Sequence, residues 1–240
     1  MSECSIYSRE KNPLSEIIER VEHSSRKWEH YLPLYHQYFK KFLNRTEKVI
    51  LVEIGVECGG SLDMWNTYFG KENSKIEIWG IDINPNCKAL ERDNIHIIIG
   101  DQGDPNFLQS LKQMIPSPDI IIDDGGHEMR QQINTFEILF PHMKNGGVFL
   151  CEDTHTSYWP GYGGGLRNPG SFIEHCKNII DLLNSYHYQD GLNGVIASDE
   201  KVHPLTHICA GIHFHDSMVF FDKSEQYITA PKSLRYPTNK

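Results

Sequence analysis

The sequence lacks the marks of several protein classes. Its six cysteines form no Cys-x-x-Cys pair and no zinc-ligand spacing, and several stand in apolar runs, where cysteine acts as a small buried hydrophobe. There is no basic cluster, and the formal net charge of -9 argues against nucleic acid as the main partner. No apolar run reaches 18 residues and no N-terminal signal-type stretch is visible. We therefore expect a cytoplasmic protein without a membrane span.

What the chain does contain is a series of short apolar runs separated by helical periodicities. Runs of this length bounded by polar residues and glycine are typical of buried strands in a parallel sheet. Five such strands are predicted, at 48–54, 76–81, 95–99, 120–122 and 148–151. The intervening and following periodicities predict helices at 62–69, 106–114, 133–143 and 172–183. Two last runs, 206–215 and 217–223, predict a hairpin that closes the sheet with an antiparallel edge.

The first 45 residues are expected to form a helical extension. Asn12-Pro13 is a helix-start signal, and apolar spacing predicts helices over 14–21 and 35–42. The aromatic stripe of the second helix favours core packing over ligand contact. The stretch SSRKWEHYLP, 24–33, is compatible with a lid over a site, but its sequence alone leaves this undecided. Because no linker divides the chain, we predict one domain overall, with an extension at 1–45 and the main sheet domain at 46–240.

A glycine-containing loop follows the first predicted strand. It reads E-x-G-x-x-x-G-G-S from Glu53 to Ser61 and lacks the middle glycine of the dinucleotide-binding pattern G-x-G-x-x-G. Gly55 and Gly59 allow positive φ and close approach to a ligand, and the helix that follows offers a positive N-terminus. A merely tight strand-to-helix turn is the alternative interpretation.

Acidic residues also end the next two strands. Asp82 follows the second strand, where α/β folds that bind nucleosides place a carboxylate on the ribose hydroxyls. After the third strand come Asp101 and Gln102, either of which can bond an adenine edge or cap the loop.

The stretch 119–159 carries the strongest chemical signal. Two strands in it end in acidic pairs, Asp123-Asp124 and Glu152-Asp153, and His127 lies three residues beyond Asp124. A right-handed strand–helix–strand crossover brings both strand ends to the same carboxyl edge of the sheet, where ligands bind in open α/β sheets. We therefore expect the carboxylates and His127 to converge.

Each of these groups also has an ordinary structural interpretation. Asp123 or Asp124 can cap the following helix, because aspartate is a good N-cap. The later acidic pair can be solvated, and His127 can be an ordinary helix-start residue. Four late histidines are expected at the surface or the sheet edge, namely His203, His207, His213 and His215.

The order of these signatures resembles the class I S-adenosylmethionine-dependent methyltransferases over roughly residues 28–223. VEIGVECGGS is similar to the cofactor loop of that family, GIDIN to its ribose acid and IHFHDSMVFF to its terminal hairpin. IDDGGH followed by FLCEDTHTSYWPGYGGG is similar to the metal-dependent O-methyltransferases of macrolide sugars, although these commonly read DDGSH where Gly126 stands here. The resemblance implies a Rossmann-like α/β sheet of seven strands, mostly parallel with the last antiparallel, flanked by helices.

The resemblance also implies roles for individual residues. Asp124, Glu152 and Asp153 would hold a divalent metal, Mg²⁺ or Mn²⁺, and Asp124 and His127 would be catalytic, with His127 as the general base. His155, Tyr158 and Trp159 would shape the substrate pocket. The residues expected to bind S-adenosylmethionine are Glu53, Gly55, Gly59, Ser61, Asp82, Asp101, Gln102 and Asp123.

These implied roles amount to an O-methyltransferase that acts on a sugar hydroxyl. Such a hydroxyl is a poor nucleophile near neutral pH, and a hard cation on carboxylate oxygens together with a histidine base can activate it. The expected partner is a small-molecule sugar, and the resemblance implies a homo-oligomer. A catechol-type methyltransferase is the nearest alternative. A nicotinamide-dependent oxidoreductase is a more distant one, since no Tyr-x-x-x-Lys pair is evident.

Overall fold

A computed structural model describes residues 12–70, 75–188 and 202–232. Within these ranges a seven-stranded sheet forms the centre of the molecule, with the spatial order β3-β2-β1-β4-β5-β7-β6. The strands are β1 (Val49–Ile54), β2 (Ile76–Asp82), β3 (Ile95–Ile99), β4 (Ile120–Asp123), β5 (Val148–Cys151), β6 (Cys209–His215) and β7 (Met218–Lys223). Neighbours among β1 to β5 pair in parallel, and β7 pairs antiparallel with both β5 and β6. The predicted fold class is confirmed.

The central strands are buried along their whole length because helices cover both faces of the sheet. All residues of β1, β4 and β5 are buried. The α-helices of the described ranges are α1 (Leu14–Ile18), α2 (Tyr31–Phe39), α3 (Gly60–Gly70), α4 (Pro105–Met114), α5 (Met129–Leu139) and α6 (Phe172–Leu183). None of them is long and apolar enough to cross a membrane.

Two apolar clusters, one on each face, fix the layers. The first joins α1, α2 and α3 to the sheet through residues such as Tyr35, Phe39 and Trp65. The second joins α4, α5 and α6 to the other face through residues such as Phe136 and Phe149. The aromatic stripe of α2 is therefore largely core, as its spacing indicated. The boundary at residue 45 stays a prediction.

Several predicted boundaries are wrong by a few residues. The first helix ends at Ile18, and α2 begins at Tyr31, before the predicted start. The helix predicted over 133–143 gives way to a 3₁₀ turn at Phe140–His142, because Pro141 has no amide N–H to continue the helical hydrogen bonds. The predicted hairpin does form the antiparallel edge of the sheet: β7 is its inner strand and β6 its outer strand.

The position of His207 differs from the prediction. His207 was expected at the surface or edge, but it is only 4% exposed, stacks on Tyr227 and hydrogen-bonds the carbonyl of Ile228. Its ring is thus buried, because the chain after β7 folds back over it. The five cysteines of the described ranges are unpaired, and four of them are buried as expected.

The second apolar cluster should contribute strongly to stability. Phe149 is fully buried on β5 and its ring contacts Phe136, Phe140 and Phe221. We expect Phe149→Ala to lower the free energy of unfolding by about 3–5 kcal/mol, since it leaves a cavity in a packed core. The matched control Phe214→Ala, at a side chain 42% exposed on β6, should cost less than about 1 kcal/mol. Urea denaturation measures both, and similar losses would contradict this account of the core.

Candidate functional site

A cavity of about 970 Å³ opens at the carboxyl edge of the sheet. The loops after β1, β2, β3, β4 and β5 line it, and the segment between α1 and α2 covers it. The lining contains nine of the predicted site residues: Gly55, Ser61, Asp82, Asp101, Gln102, Asp124, His127, Glu152 and Asp153. Glu53 and Asp123 lie directly behind this wall as fully buried carboxyls. The sheet topology therefore gathers the residues that sequence reasoning had placed on separate strands.

The loop after β1 is built for close approach. Gly55 has φ +90°, and a Cβ there would lie 2.0 Å from the carbonyl oxygen of Asp124, so no side chain fits. Gly59 also has positive φ, at +86°. At the first residue of α3, a Cβ on Gly60 would lie 2.5 Å from the carbonyl oxygens of His23 and Ser24. These glycines thus let the loop after β1 pack closely against the loop after β4 and against the covering segment.

The Asp82 carboxylate organises the same loop. Its Oδ2 accepts hydrogen bonds from the amides of Val56 (2.8 Å) and Glu57 (3.1 Å), and its Oδ1 accepts one from Asn84 (2.8 Å). Ser61, at the start of α3, donates from Oγ to Glu53 Oε2 at 2.9 Å. The predicted ribose acid therefore lines the cavity and also holds the glycine loop in place.

Asp101 and Gln102 differ in their surroundings. Asp101 is exposed and its Oδ1 accepts the Gly103 amide, which is a loop cap. Gln102 is buried, donates from Nε2 to Asp123 Oδ1 at 2.6 Å and accepts the Gly126 amide on Oε1. Gln102 therefore ties the loop after β3 to the loop after β4, a role that the sequence did not indicate.

The acidic centre lies at the ends of β4 and β5. His127 Nε2 is 3.8 Å from Asp124 Oδ1 and 3.7 Å from Asp153 Oδ2. One ligand atom from each of these three residues lies within 4.8 Å of the other two, a spacing that suits a metal ion. Carboxylate oxygens and a neutral imidazole are ordinary ligands for divalent ions. The carboxylates of Asp124 and Asp153 therefore fit such an ion, with the imidazole of His127 next to it.

Backbone strain accompanies this geometry. His127 and Asp153 both adopt left-handed backbone, with φ of 55° and 52°. Non-glycine residues in this region are uncommon and concentrate at functional sites. Thr156 Oγ1 lies within hydrogen-bond distance of the carbonyl oxygens of both residues, at 3.0 and 2.9 Å. Thr156 thus links the two strained positions, and sequence reasoning missed it.

The capping interpretations of the acids do not hold in the structure. The N-cap of α5 is Glu128, which forms a capping box with Gln131. Neither Asp123 nor Asp124 caps that helix, and His127 precedes the N-cap. Burial raises the pKa of Asp123 to about 6, because the amide of Gln102 and the backbone of Gly125 only partly offset its desolvation.

Glu152 faces a different set of partners from its neighbour Asp153. Its side chain is 1% exposed, its Oε2 accepts from Lys27 Nζ at 2.9 Å and its Oε1 from Tyr35 Oη at 2.8 Å. Asp153 Oδ1 accepts from Tyr31 Oη at 2.7 Å. Lys27, Tyr31 and Tyr35 were not predicted as site residues. Two features of the sequence could have indicated them. Lys27 and Tyr31 lie in the stretch 24–33, which was compatible with a lid, and Tyr35 adds a hydroxyl to the aromatic stripe.

Lys27 is the cation at the centre of these contacts. Its Nζ lies 2.6 Å from Asp124 Oδ2, 2.9 Å from Glu152 Oε2 and 3.9 Å from Glu53 Oε1. Burial alone would lower the pKa of Lys27, but attraction by Asp124 and Glu152 raises it well above the usual value. The ammonium is therefore charged, and it offsets part of the buried negative charge.

The predicted substrate residues lie on the loop after β5. Trp28 stacks on His155 at 5.0 Å between ring centroids, and Trp159 packs edge-on against the same imidazole at 4.6 Å. Tyr158 and Trp159 are about half exposed. His155 Nδ1 lies 2.5 Å from Ser217 Oγ, which fixes the ring beside the acidic centre. Of these rings, Trp28 lines the cavity, whereas His155 and Tyr158 line a second, smaller pocket on the loop after β5.

The chain is similar in sequence to several known proteins. A family model described as a methyltransferase domain matches residues 52–154. The 8-demethyl-8-alpha-L-rhamnosyl tetracenomycin-C 2'-O-methyltransferase of Streptomyces olivaceus is 32% identical over 85% of this chain and 53% of its own length. The mycinamicin VI 2''-O-methyltransferase of Micromonospora griseorubida is 32% identical over 80% of this chain and 48% of its own.

A solved structure agrees with the sequence relatives. MycE methyltransferase from the mycinamycin biosynthetic pathway, in complex with Mg, SAH and mycinamycin VI, superposes with a TM-score of 0.76 at 29% identity. The match covers 90% of this chain and 54% of that one. The chain thus spans about half the length of the relatives it matches.

The buried Glu53 should make stability depend on pH. Burial raises its pKa to about 7, with Lys27 lowering and Asp124 raising it further, from an ordinary value of 4.5. Because the folded state then holds the proton more tightly than the unfolded chain, this contribution is complete below about pH 4.5 and is lost as pH rises through 7. From pH 5 to 7 the loss should be about 2 kcal/mol.

Glu53→Gln removes this contribution, so its unfolding free energy should fall less between pH 5 and 7 than that of the unsubstituted chain. Urea denaturation at the two pH values measures the difference. Glu19→Gln, at an exposed residue, is the control and should keep the original slope. A Glu53→Gln variant with an unchanged slope would show that Glu53 does not carry this proton.

Proposed function

Because this chain belongs to the class I S-adenosylmethionine-dependent methyltransferases, we propose that it is a divalent-metal-dependent O-methyltransferase acting on a sugar hydroxyl. One observation supports this above the others. The cluster of Asp124, His127 and Asp153 lies at one end of the same cavity whose other end is the glycine loop and Asp82. A cofactor site and an activating site thus share one space.

The cofactor end of the cavity fits a nucleoside. Gly55, Gly60 and Ser61 line the cavity, so a ligand there meets main chain without bulky side chains and the N-terminus of α3. Asp82 retains acceptor capacity for ribose hydroxyls, and Asp101 lies beside it for the base. Glu53 and Asp123 support these positions from behind, Gly59 shapes the loop through its positive φ, and Gln102 lines the cavity and joins the loops after β3 and β4.

The acidic end fits a hard cation. Asp124 Oδ1 and Asp153 Oδ2 face the same point as His127 Nε2, and the predicted third acid, Glu152, lies next to them in contact with Lys27. When bound, S-adenosylmethionine supplies a reactive methyl group, and a divalent ion lowers the pKa of a hydroxyl that it contacts. We assign Asp124, Glu152 and Asp153 to hold the ion, with the carboxylate of Glu152 kept beside the other two by Lys27.

His127 is then placed to receive the hydroxyl proton. Its Nε2 faces the acidic centre, and imidazole accepts a proton near neutral pH. The left-handed backbone at His127 and the hydrogen bond from Thr156 to its carbonyl oxygen hold the main chain at this position. His155, Tyr158 and Trp159 present aromatic faces beside the cavity, a surface suited to the apolar face of a sugar ring.

The choice of acceptor rests on the relatives and on charge. The relatives named above act, by their names, on sugar-bearing natural products. The net charge of -9 supports a small neutral acceptor over a nucleic acid. The expected cytoplasmic location and homo-oligomeric state stay predictions.

The cofactor is tested by thermal unfolding. S-adenosylhomocysteine at 100 times its Kd should stabilise the folded state by roughly 2.7 kcal/mol. For a chain of this size that raises the melting temperature by about 5–10 °C. NAD at the same concentration is the matched ligand control and should produce no shift. A shift with NAD and none with S-adenosylhomocysteine would instead support a nicotinamide-dependent enzyme.

The base is tested by His127→Asn. Loss of the proton acceptor should lower the turnover rate by about 10²–10⁴-fold, while the affinity for S-adenosylhomocysteine stays within about twofold. Transfer of a labelled methyl group to a panel of deoxysugar glycosides, with Mg²⁺ and with chelator, measures the rate. His187→Asn, at an exposed ring, is the control. Turnover by the His127 variant at the unsubstituted rate would remove this residue from the mechanism.

A further inference from the structure

The loop after β4 contains a glycine that its backbone does not require. Gly126 precedes His127, and its φ lies outside the left-handed region that favours glycine. A Cβ at this position would lie 2.3 Å from Oε1 and 2.9 Å from Nε2 of Gln131, and both distances are too short for real contacts. The carboxamide of Gln131 therefore occupies the space that a side chain at position 126 would fill.

One end of this carboxamide is fixed by the helix that carries it. Gln131 is the third residue of α5, and its Oε1 accepts the amide of Glu128 at 3.2 Å as part of the capping box. A carboxamide has an acceptor oxygen and a nitrogen with two donor hydrogens. Since the cap engages the oxygen, the nitrogen remains as a donor. Within the described part of the chain, Nε2 of Gln131 has no hydrogen-bond partner.

The free donor lies in the wall of the large cavity. Gly126, His127 and Gln131 all line this cavity, and Gln131 is half-buried. The amide nitrogen is therefore held close to the imidazole that is placed to receive a proton. A ligand with an oxygen here gains a hydrogen bond, whereas a ligand that covers the donor without an acceptor leaves it unpaired. This part of the wall can thus distinguish one ligand from another.

Gln102, another glutamine of the same cavity wall, does not offer such a donor. Its Nε2 already donates to Asp123 Oδ1 at 2.6 Å and to Thr135 Oγ1 at 3.0 Å. Both of its N–H groups are thus used inside the protein. The two glutamines therefore have different roles, because Gln102 joins loops and Gln131 faces a ligand.

A sugar suits a donor in this place. A sugar ring carries hydroxyls on adjacent carbons, and each hydroxyl oxygen can accept a hydrogen bond. When one hydroxyl gives its proton to His127, the oxygen on the next carbon lies within reach of the same stretch of wall. The cofactor end of the cavity has its own polar groups, Asp82 and Asp101, on the loops after β2 and β3. Gln131 lies instead on α5, next to the proposed base.

We propose that Gln131 is a specificity-determining residue, whose Nε2 donates a hydrogen bond to the sugar oxygen next to the hydroxyl that is methylated. Gly126 is required for this contact, because a serine there, as in DDGSH, would displace the carboxamide. This role rests on the proposed function. It narrows the acceptor to a sugar with an oxygen on a carbon next to the methylated position.

Acceptor preference tests this role. Labelled methyl transfer is measured to methyl glycosides of 6-deoxyhexoses, each beside an analogue that lacks one hydroxyl next to the methylated position. The unsubstituted chain should favour the hydroxyl-bearing glycoside by about tenfold in kcat/KM, since the analogue leaves the donor unpaired. Gln131→Met should lower kcat/KM for that glycoside about 3–10-fold, mainly through KM, and reduce the preference to within about twofold. A preference that persists in Gln131→Met overturns the proposal.

Two further variants separate the donor from the helix cap and from general effects. Gln131→Glu keeps an oxygen for the Glu128 amide but has no donor, so it should lose the preference as Gln131→Met does. Retention of the preference in Gln131→Glu would overturn the proposal as well. Gln113→Met replaces an exposed glutamine on α4, outside the cavity lining, and should keep both the rate and the preference.

A double-mutant cycle tests the contact with Gly126. Gly126→Ala alone should lower the preference, because its Cβ displaces the carboxamide. In a Gln131→Ala background the same change should alter kcat/KM by less than about twofold, since no carboxamide remains to be displaced. Additive losses would show that the two positions act independently and would overturn their pairing.

Cofactor affinity distinguishes the acceptor from the cofactor as the partner of the donor. Every Gln131 variant should bind S-adenosylhomocysteine within about twofold of the unsubstituted chain, whereas a loss of more than about fivefold with the preference intact would place the amide on the cofactor and overturn the proposal. If the unsubstituted chain transfers no methyl group to any glycoside, the proposed function fails and the role of Gln131 falls with it. Transfer with an unchanged preference in Gln131→Met leaves the proposed function intact and overturns only the role of Gln131.

Discussion

Burial of several carboxylates at one edge of the sheet is the constraint on which the structure depends. Glu53, Asp123 and Glu152 are almost inaccessible to water, and Asp124 and Asp153 lie beside them. Buried acids of like charge are costly unless they are protonated, hydrogen-bonded or paired with a cation. The chain uses each solution, because Gln102 bonds Asp123, burial favours protonated Glu53, and Lys27 pairs with Glu152.

The surrounding architecture serves this cluster. Parallel strands bring their carboxyl ends to one edge, and the acids lie at those ends or directly after them, so they cannot separate. Gly55 removes the side chain that would otherwise push the loops after β1 and β4 apart. The hydroxyl of Thr156 then links the left-handed positions at His127 and Asp153. Rigid elements thus hold a strained centre, which is the general requirement for a preorganised site.

Much of this could be predicted from sequence because it depends on local patterns. Apolar runs of three to seven residues predicted the five parallel strands, and the acids at their ends lie on the expected edge. The helix ends were less predictable, since Pro141 and tertiary packing decide them. The burial of His207 depends on chain that returns from after β7, which no local pattern encodes.

The hydrogen-bond partners of the acids could not be predicted for a similar reason. Lys27 is 97 residues from Asp124 and 125 residues from Glu152, and nothing in SSRKWEHYLP indicates which acids its lysine meets. Tyr31 and Tyr35 have core-like spacing, and only their hydroxyls reach the site. Sequence patterns predict which residues line an edge of the sheet, but the donors from another part of the chain are set by packing.

The sequence separation of these contacts has a consequence for how the molecule folds. Closing loops of about a hundred residues costs chain entropy, and contacts of this kind form late unless local structure has already shortened the path. The sheet edge that carries the acids must therefore exist before the ammonium of Lys27 can reach it. Until then the acids repel one another in the open. Assembly of the site is thus expected to be among the last steps of folding, so that partly folded chains would carry the strands of the fold without its chemistry.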